Sequence, residues 1–171
     1  MDGYSDGSAS FTITDAAKDI SVTLKKEDTD DNKQTDTPDG IAINATNFPD
    51  ANFRQFILES IDYDENKYLS ASEINDTTTM AITSLNISNL KGIEYFTELT
   101  YLDCGDNQLT SLDVSRNTKL SVLACYQNNL ASLNVSNNSQ LTELDCYENN
   151  LTSLNVSSNT NLQQLWCYNN N

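Results

Sequence analysis

Positions 120–140 read LSVLACYQNNLASLNVSNNSQ, a unit of 21 residues that returns along the second half of the chain. Cysteine marks the period, because each of the four cysteines lies 21 residues from the next. Columns of leucine, valine and asparagine keep the same step. The unit is also nested, since Leu120 begins the spacing Leu-x-x-Leu-x-Cys-x-x-Asn and Leu130 begins it again with Val in place of Cys. Several independent columns in phase indicate a repeat architecture.

Each coil of such a repeat cannot bury its own apolar side, so successive coils must stack around one continuous core. Within Leu123-x-Cys125 the alternation of period two turns both side chains inward on a short strand. Equivalent strands of neighbouring coils then pair in parallel, about 4.8 Å apart. The apolar spacing of residues 82–87 predicts a first, shortened coil that begins 17 residues before Leu99. The sequence therefore predicts an α+β fold whose residues 81–171 form a solenoid of about five parallel-strand coils.

The asparagine three residues after each cysteine lies in the turn that follows the strand. A turn beside a core leaves peptide groups that need partners, and an amide side chain can both donate and accept. We expect an inward-pointing ladder formed by Asn107, Asn128 and Asn149.

The cysteines form another column of the grid. Stacked parallel strands point their Cβ bonds the same way, which disfavours the Cβ separation of ~3.8 Å in a disulfide. A straight line of thiols also lacks the tetrahedral convergence of a zinc site. We therefore predict that these residues are small, buried hydrophobic side chains: Cys104, Cys125, Cys146 and Cys167.

Composition excludes several classes of function. The chain has 171 residues, 25 of them acidic and nine basic, and its formal net charge is −16. Such a polyanion repels DNA, RNA and anionic lipid, so we expect no nucleic-acid partner. The chain has no histidine, which removes the Ser-His-Asp and Cys-His arrangements, and we expect no enzyme in these residues. We expect no membrane span, since no apolar run reaches ~20 residues, and no signal peptide in this fragment.

Residues 47–80 break the repeat and predict a small helical cap. Pro49 and Asp50 are typical of a helix start, and apolar residues follow at helical spacing. The apolar face of this helix would cover the open end of the solenoid.

The cap contains a 12-residue acidic stretch, residues 62–73, with the oxygen spacing of an EF-hand calcium loop. Loop positions one, three, five, seven, nine and twelve are Asp62, Asp64, Asn66, Tyr68 through its carbonyl, Ser70 and Glu73. Lys67 departs from the motif, because the sharp turn at that position favours glycine. The sequence predicts a weak calcium site. The alternative is that residues 70–73 are simply a capping box that opens a second helix, and both can hold.

On the strands, the residues that alternate with the inward leucines and cysteines point outward. Aromatic and acidic residues gather at these positions: Tyr101, Asp103, Tyr126, Glu143, Asp145, Tyr147, Trp166 and Tyr168. Tyr and Trp supply large, fairly rigid contact area with a polar tip, which suits a protein or glycan ligand. The alternative is a cross-strand aromatic ladder that only stabilises the sheet.

The sequence at each end of the chain predicts that the protein continues beyond it. Residues 1–26 alternate like a β-hairpin, which is either the remnant of an upstream β-sandwich or an addition to the cap. Residues 27–46 predict an acidic linker. The repeats stop inside a coil without the polar capping repeat that a solenoid needs, so we expect the region 81–171 to be truncated C-terminally.

The cap and the repeats together resemble a known group. The segments FPDANFR at 48–54, DYDEN at 62–66 and GIEYF at 92–96 look like the cap of leucine-rich repeat surface proteins from Gram-positive gut bacteria. The repeat resembles the nested 21-residue class called IRREKO, and the layout of a cap followed by a short first coil is similar to that of the internalins. The resemblance covers about residues 47–171.

This resemblance implies an extracellular or cell-surface protein whose solenoid recognises a protein or glycan on a host or neighbouring cell. Leucine-rich repeats as a class carry no catalytic residues, so the resemblance transfers none to this chain. The alternative is a structural spacer that presents another domain, such as an enzyme, of a longer protein.

Overall fold

The structure, a computed structural model, describes residues 40–171. Its strands and helices are, in chain order, β1 (Ile41–Ala42), α1 (Ala51–Ser60), β2 (Tyr68–Leu69), α2 (Ala71–Asp76), β3 (Thr79–Ala81), β4 (Tyr101–Asp103), β5 (Val122–Ala124), β6 (Glu143–Asp145) and β7 (Gln164–Trp166). A 3₁₀ turn at Ile93–Tyr95 lies between β3 and β4. Within residues 40–171, no helix is both long and apolar enough to cross a membrane. The hairpin predicted over residues 1–26 and most of the predicted linker lie outside the described residues.

The five strands of the repeat stack into one parallel sheet in the order β3-β4-β5-β6-β7. The register pairs Leu102 with Leu123 and Leu123 with Leu144, so one 21-residue step along the chain is one step across the sheet. All three leucines are fully buried. The predicted α+β solenoid of about five parallel-strand coils is therefore confirmed.

The first coil differs from the prediction in register and length. β3 pairs Met80 with Leu102, a separation of 22 residues in the sequence, whereas the predicted coil is shortened to 17. Met80, rather than Leu85, occupies the leucine column, since Met80 is buried and Leu85 is 37% exposed. The apolar spacing that begins at Ile82 misled the prediction because it imitates the column pattern five residues out of register. The repeat begins at Thr79, ahead of the predicted boundary.

The cap joins the first coil through α1. The Asp50 carboxylate accepts hydrogen bonds from the N–H groups of Asn52 and Phe53, which begins the helix. Its Oδ2 also accepts the N–H and the hydroxyl of Ser88, both at 2.8 Å. Phe53 and Ile57 are fully buried in the same core cluster as the repeat leucines. One side chain thus starts the helix and ties it to the solenoid.

The cap also begins earlier than the sequence predicts. β1 pairs antiparallel with β2, with Ile41 opposite Leu69, and Ile43 is buried in the core. The assignment of residues 41–46 to the acidic linker is therefore wrong. A two-residue strand is too short for an alternation of side chains to reveal it in the sequence.

The predicted asparagine ladder is present in the turn after each strand. Asn128 shows the pattern: its Oδ1 accepts the N–H of Leu109 at 2.9 Å, and its Nδ2 donates to the carbonyl oxygens of Cys104, Cys125 and Tyr126 at 3.0, 3.2 and 3.0 Å. Asn107 and Asn149 make the equivalent bonds one coil away on either side. The prediction is confirmed, and the ladder binds each coil to its neighbour.

A second ladder runs through the other half of each coil. Asn117, Asn138 and Asn159 are buried, and the Nδ2 of Asn138 donates to the carbonyl oxygens of Val114 and Asn117 at 3.0 and 2.9 Å. The nested repeat thus places a carbonyl-binding amide at both turns of a coil.

The cysteine column is buried except at its last member. The thiols of Cys104, Cys125 and Cys146 are buried and free, and that of Cys167 is exposed. Burial raises the pKa of Cys146 to about 12. The prediction of buried hydrophobic side chains is confirmed for three residues and is wrong for Cys167, because no further coil covers β7 within the described residues.

Candidate functional site

The outward side of the parallel sheet carries three columns of side chains, which we call the sheet face. Along the solenoid the columns are Thr79, Tyr101, Val122, Glu143 and Gln164; Ala81, Asp103, Ala124, Asp145 and Trp166; and Thr83, Gly105, Tyr126, Tyr147 and Tyr168. All eight residues predicted to bind a ligand lie in these columns. The parallel register brings them together from four different coils.

Three tyrosines of the third column stack ring on ring. The ring centroids of Tyr126 and Tyr147 are 5.1 Å apart, those of Tyr147 and Tyr168 are 4.7 Å apart, and the planes differ by 5° and 8°. Tyr126 in turn covers Gly105, where a Cβ would come within 2.3 Å of its ring. The inner ring faces are therefore occupied, and only the edges and the outer face of Tyr168 are open. For the third column, though not for the other two, this geometry favours a cross-strand aromatic ladder that stabilises the sheet.

Three carboxylates make the sheet face negative. Burial raises the pKa of Asp145, and the charge of Asp103 raises it further. The pKa of Tyr101 is also raised, first by burial and then by Asp103 and Glu143. No lysine or arginine lies at any outward position of β3 to β7. The negative charge of this face is therefore not neutralised by a basic residue within it.

The loop between α1 and α2 gathers the carboxylates predicted to hold calcium. One oxygen each of Asp62, Asp64 and Glu73 lies within 4.8 Å of the others. Asp62 and Glu73 are buried and Asp64 is exposed. The Asp62 Oδ1 is buried and has no hydrogen-bond partner within the described residues, and burial raises the pKa of this carboxyl. Converging oxygens of this kind fit a hard cation such as Ca²⁺.

The loop backbone adopts the turn that the EF-hand motif requires. Lys67 has a φ of 67°, in the left-handed region where the motif uses glycine. Its N–H donates to the Asp62 Oδ2 at 3.0 Å, and the Asn66 side-chain amide donates to the Asp64 Oδ2 at 2.7 Å. The N–H of Tyr68 donates to the Asn66 Oδ1 at 2.6 Å. Because lysine has a Cβ, the positive φ at this position costs roughly 1 kcal/mol relative to glycine.

Glu73 forms the capping box that the sequence predicts and also lies in the acidic cluster. Its carboxylate accepts the N–H of Ser70 at 2.8 Å, the Ser70 hydroxyl at 2.7 Å and the N–H of Tyr63 at 2.7 Å. The Ser70 Oγ accepts the N–H of Glu73, which completes a capping box at the start of α2. The same carboxylate lies in the acidic cluster, so the capping box fixes one member of the cluster in place.

Two residues of the sheet face were missed by the sequence analysis. Gly105 makes room for the Tyr126 ring, and Ala124 separates Asp103 from Asp145 in the middle column. The 21-residue period contains the signal that could have found them, because each lies between larger side chains of the neighbouring coils in its column.

Comparison with known proteins bears on the whole solenoid. No protein-family model matches the chain. Internalin J of Listeria monocytogenes serotype 4b (strain F2365) is 32% identical over 71 residues, which are 42% of this chain and 8% of that protein. The solved functional domain of InlJ from Listeria monocytogenes, which includes a cysteine ladder, is 35% identical with a TM-score of 0.70, over 76% of this chain and 29% of that one. This chain is a leucine-rich repeat solenoid with an internalin-like layout.

Two further structures share the fold of this internalin-like solenoid. The internalin InlF from Listeria monocytogenes str. 4b F2365 matches 77% of this chain and 46% of its own, with 23% identity and a TM-score of 0.65. A leucine-rich repeat protein of Leptospira interrogans matches 57% of this chain and 27% of its own, with 25% identity and a TM-score of 0.51. The chain spans less than a tenth of the curated relative and less than a third of the InlJ structure.

Proposed function

We propose that this solenoid is an extracellular or cell-surface recognition module that binds a protein partner through the sheet face. The observation that carries the proposal is the convergence of aromatic and acidic side chains from four coils on one open face. Trp166 and Tyr168 are 39% and 53% exposed, and these residue types dominate the binding energy of many interfaces. The likeness to Internalin J supports a surface protein.

The geometry favours a protein over a glycan as the ligand. A sugar ring packs on an open aromatic face. The tyrosine stack leaves open only the outer face of Tyr168, and Trp166 is 39% exposed, so the aromatic surface that a sugar ring could use is concentrated at the last strand. A protein can instead use the row of ring edges together with the neighbouring carboxylates. We therefore propose that adhesion occurs through protein–protein contacts.

An array of surface proteins and glycans probed with the whole chain tests the proposal. The double variant Trp166→Ala, Tyr168→Ala removes two exposed aromatic groups, and loss of a hot spot lowers affinity about thirtyfold or more. Tyr63→Ala is the matched control, since this cap tyrosine is 65% exposed and lies outside the sheet face.

The expected result is capture of a protein by the wild-type chain and by Tyr63→Ala, and its loss in the double variant, whose fold is checked by circular dichroism because Tyr168 also stacks on Tyr147. Capture of a glycan alone would refute the protein partner. Equal capture by both variants would refute the role of the sheet face and favour a spacer that presents another domain.

We further propose that the acidic loop of residues 62–73 binds calcium. The specific support is the buried, unpaired Oδ1 of Asp62 beside the carboxylates of Asp64 and Glu73. Tyr68 would add its carbonyl, and Asn66 and Ser70 would add side-chain oxygens, as the loop spacing implies. Because Lys67 brings a positive charge close to the ion, we expect an affinity of roughly 10⁻⁴ to 10⁻³ M.

Calorimetry and thermal denaturation with calcium chloride test this second proposal. At ten times a millimolar Kd, binding stabilises the chain by about 1.4 kcal/mol. Glu73→Gln removes the charge but keeps a residue that can complete the capping box, and Glu65→Gln removes an exposed charge of the same loop. Calcium should stabilise the wild type and Glu65→Gln but not Glu73→Gln. Absence of heat and of a thermal shift in the wild type would refute the site.

A further inference from the structure

The proposed calcium loop contains the strand on which the first strand of the cap pairs. β2 lies inside the loop of residues 62–73, and β1 pairs with it antiparallel, with Ile41 opposite Leu69. The N–H of Ile43 extends this pairing, because it donates to the carbonyl oxygen of Lys67 at 2.9 Å. One edge of β2 therefore holds β1, while the other edge faces the proposed metal site.

The backbone groups of β2 alternate between these two edges. In an antiparallel pair, every second residue bonds to the partner strand through its N–H and C=O, and the residues between turn away from it. The N–H of Tyr68 donates to the Asn66 Oδ1 at 2.6 Å. The N–H of Ser70 also donates into the loop, to the Glu73 Oε2 at 2.8 Å. The Tyr68 carbonyl therefore points to the loop, where position seven of the calcium motif requires it.

The acidic side of the loop contains a buried group that needs a partner. Asp62 is only 5% exposed, and its Oδ1 has no hydrogen-bond partner among residues 40–171. One oxygen each of Asp64 and Glu73 lies within 4.8 Å of an oxygen of Asp62. The mutual repulsion of these carboxylates acts to separate the two ends of the loop, and a bound cation would offset it. The stability of the loop backbone, including β2, therefore depends on what the carboxylates bind.

The segment that contains β1 packs tightly against the loop and covers part of the core. A Cβ on Gly40 would lie 2.5 Å from the carbonyl oxygen of Leu69, so the two backbones are in direct contact. Ile43 is 7% exposed and Leu69 is fully buried, and both belong to the core cluster. The Asn47 Nδ2 donates to the carbonyl oxygen of Ala42 at 2.9 Å. Separation of β1 from β2 would therefore uncover core side chains and leave the Tyr68 end of the loop unsupported.

We propose that calcium bound by the loop of residues 62–73 stabilises the pairing of β1 with β2 and so holds the first strand on the cap. This inference rests on the proposed calcium site, and it adds a conformational consequence of occupancy. Separation of the strands displaces the Tyr68 carbonyl and loosens Ser70, so the paired form binds calcium more tightly than the separated form. By reciprocity, calcium favours the paired form by the factor by which pairing strengthens calcium binding.

Hydrogen exchange of the whole ¹⁵N-labelled chain, followed by nuclear magnetic resonance, tests the inference. If separation of β1 abolishes calcium binding, calcium chloride at ten times the measured Kd should slow exchange of the Ile43 amide about elevenfold. The internal control is the Glu148 amide, which donates to the carbonyl oxygen of Tyr168 at 3.0 Å. Because a repeat contacts only its neighbours, this end of the solenoid can open without the cap, and its exchange should change by less than about twofold. Sodium chloride of equal ionic strength corrects for screening.

A substitution in β1's own segment tests the reciprocal effect without touching a calcium ligand. Gly40→Ala forces the chain away from the Leu69 carbonyl, and calorimetry should show calcium binding weakened about fivefold or more. Ala45→Ser is the matched control, because it also adds one heavy atom, at an exposed position just after β1. Its calcium affinity should stay within about twofold of the wild type, below the usual range of such couplings. Circular dichroism checks the fold of both variants.

The outcomes separate this inference from the calcium site on which it rests. Heat of calcium binding with unchanged exchange of the Ile43 amide would overturn the inference and leave the site in place. Equal calcium affinity of Gly40→Ala and Ala45→Ser would overturn it in the same way. Equal slowing of the Ile43 and Glu148 amides would show a general effect of the salt on the chain and would also overturn it. Absence of heat in the wild type would refute the site and the inference together.

Discussion

Replacing Asn128 with leucine tests how strongly the asparagine ladder holds the solenoid together. Leucine branches at the same carbon as asparagine and has the same number of side-chain heavy atoms, so the substitution removes hydrogen bonds without opening a cavity. The N–H of Leu109 has the Asn128 Oδ1 as its acceptor at 2.9 Å. In the Asn128→Leu variant this buried donor would lose its partner, which costs about 1 to 3 kcal/mol.

The three carbonyl groups bound by the Asn128 amide are less affected, because each retains another donor. The carbonyl of Cys104 keeps the Asn107 amide at 3.1 Å, that of Cys125 keeps the Asn149 amide at 3.0 Å, and that of Tyr126 keeps the N–H of Asp106 at 3.0 Å. Each lost bond then costs about 0.5 kcal/mol. With the orphaned donor, the free energy of unfolding should fall by about 3 kcal/mol.

Urea denaturation followed by circular dichroism measures this difference. With an m-value of about 1.5 kcal/mol/M, the midpoint should fall by about 2 M. Asn129→Leu is the matched control, because Asn129 is exposed and only its backbone N–H bonds to the preceding coil. A midpoint for Asn128→Leu that lies within about 0.3 M of the control would refute the reasoning.

Four further predictions follow from the same geometry. Gly105→Ala places a Cβ within 2.3 Å of the Tyr126 ring, so we expect displacement of the tyrosine stack, seen as a changed near-ultraviolet circular dichroism spectrum and a lower melting temperature; an unchanged spectrum would contradict the packing. Lys67→Gly relieves a φ of 67° and should raise the free energy of unfolding by up to about 1 kcal/mol in calcium-free buffer; a lower melting temperature would argue against strain. Burial raises the pKa of Asp145 above 3.8, so its ionisation costs stability above the folded-state pKa and costs nothing below the unfolded value. Asp145→Asn should therefore raise the melting temperature at neutral pH and leave it unchanged at about pH 3, and an equal gain at both pH values would contradict this cause. Among the four thiols, only Cys167 is exposed, so a thiol reagent should modify one cysteine quickly in the native chain and all four after denaturation; rapid modification of several thiols in the native chain would show an open core.

The sequence predicted the acidic loop and the sheet face to different extents. The loop spacing from Asp62 to Glu73 identified the acidic cluster, because its members lie within twelve residues of one another and a short loop brings them together. The outward residues of the sheet face were also predictable, since alternation on a strand and a fixed period settle which positions share a face. The role of Gly105 beneath the Tyr126 ring was missed because a small residue gains its meaning only from the neighbours that the register supplies.

The sequence by itself determined the solenoid, its parallel strands and the inward columns, because a strict period of 21 forces every coil to repeat the contacts of the one before. The tertiary structure alone decided the register of the first coil, where Met80 takes the leucine column, and the pairing of Ile41 with Leu69. These positions lie where the repeat meets the cap and periodicity ends. Packing against the cap and the core, which no local pattern encodes, selects the register there.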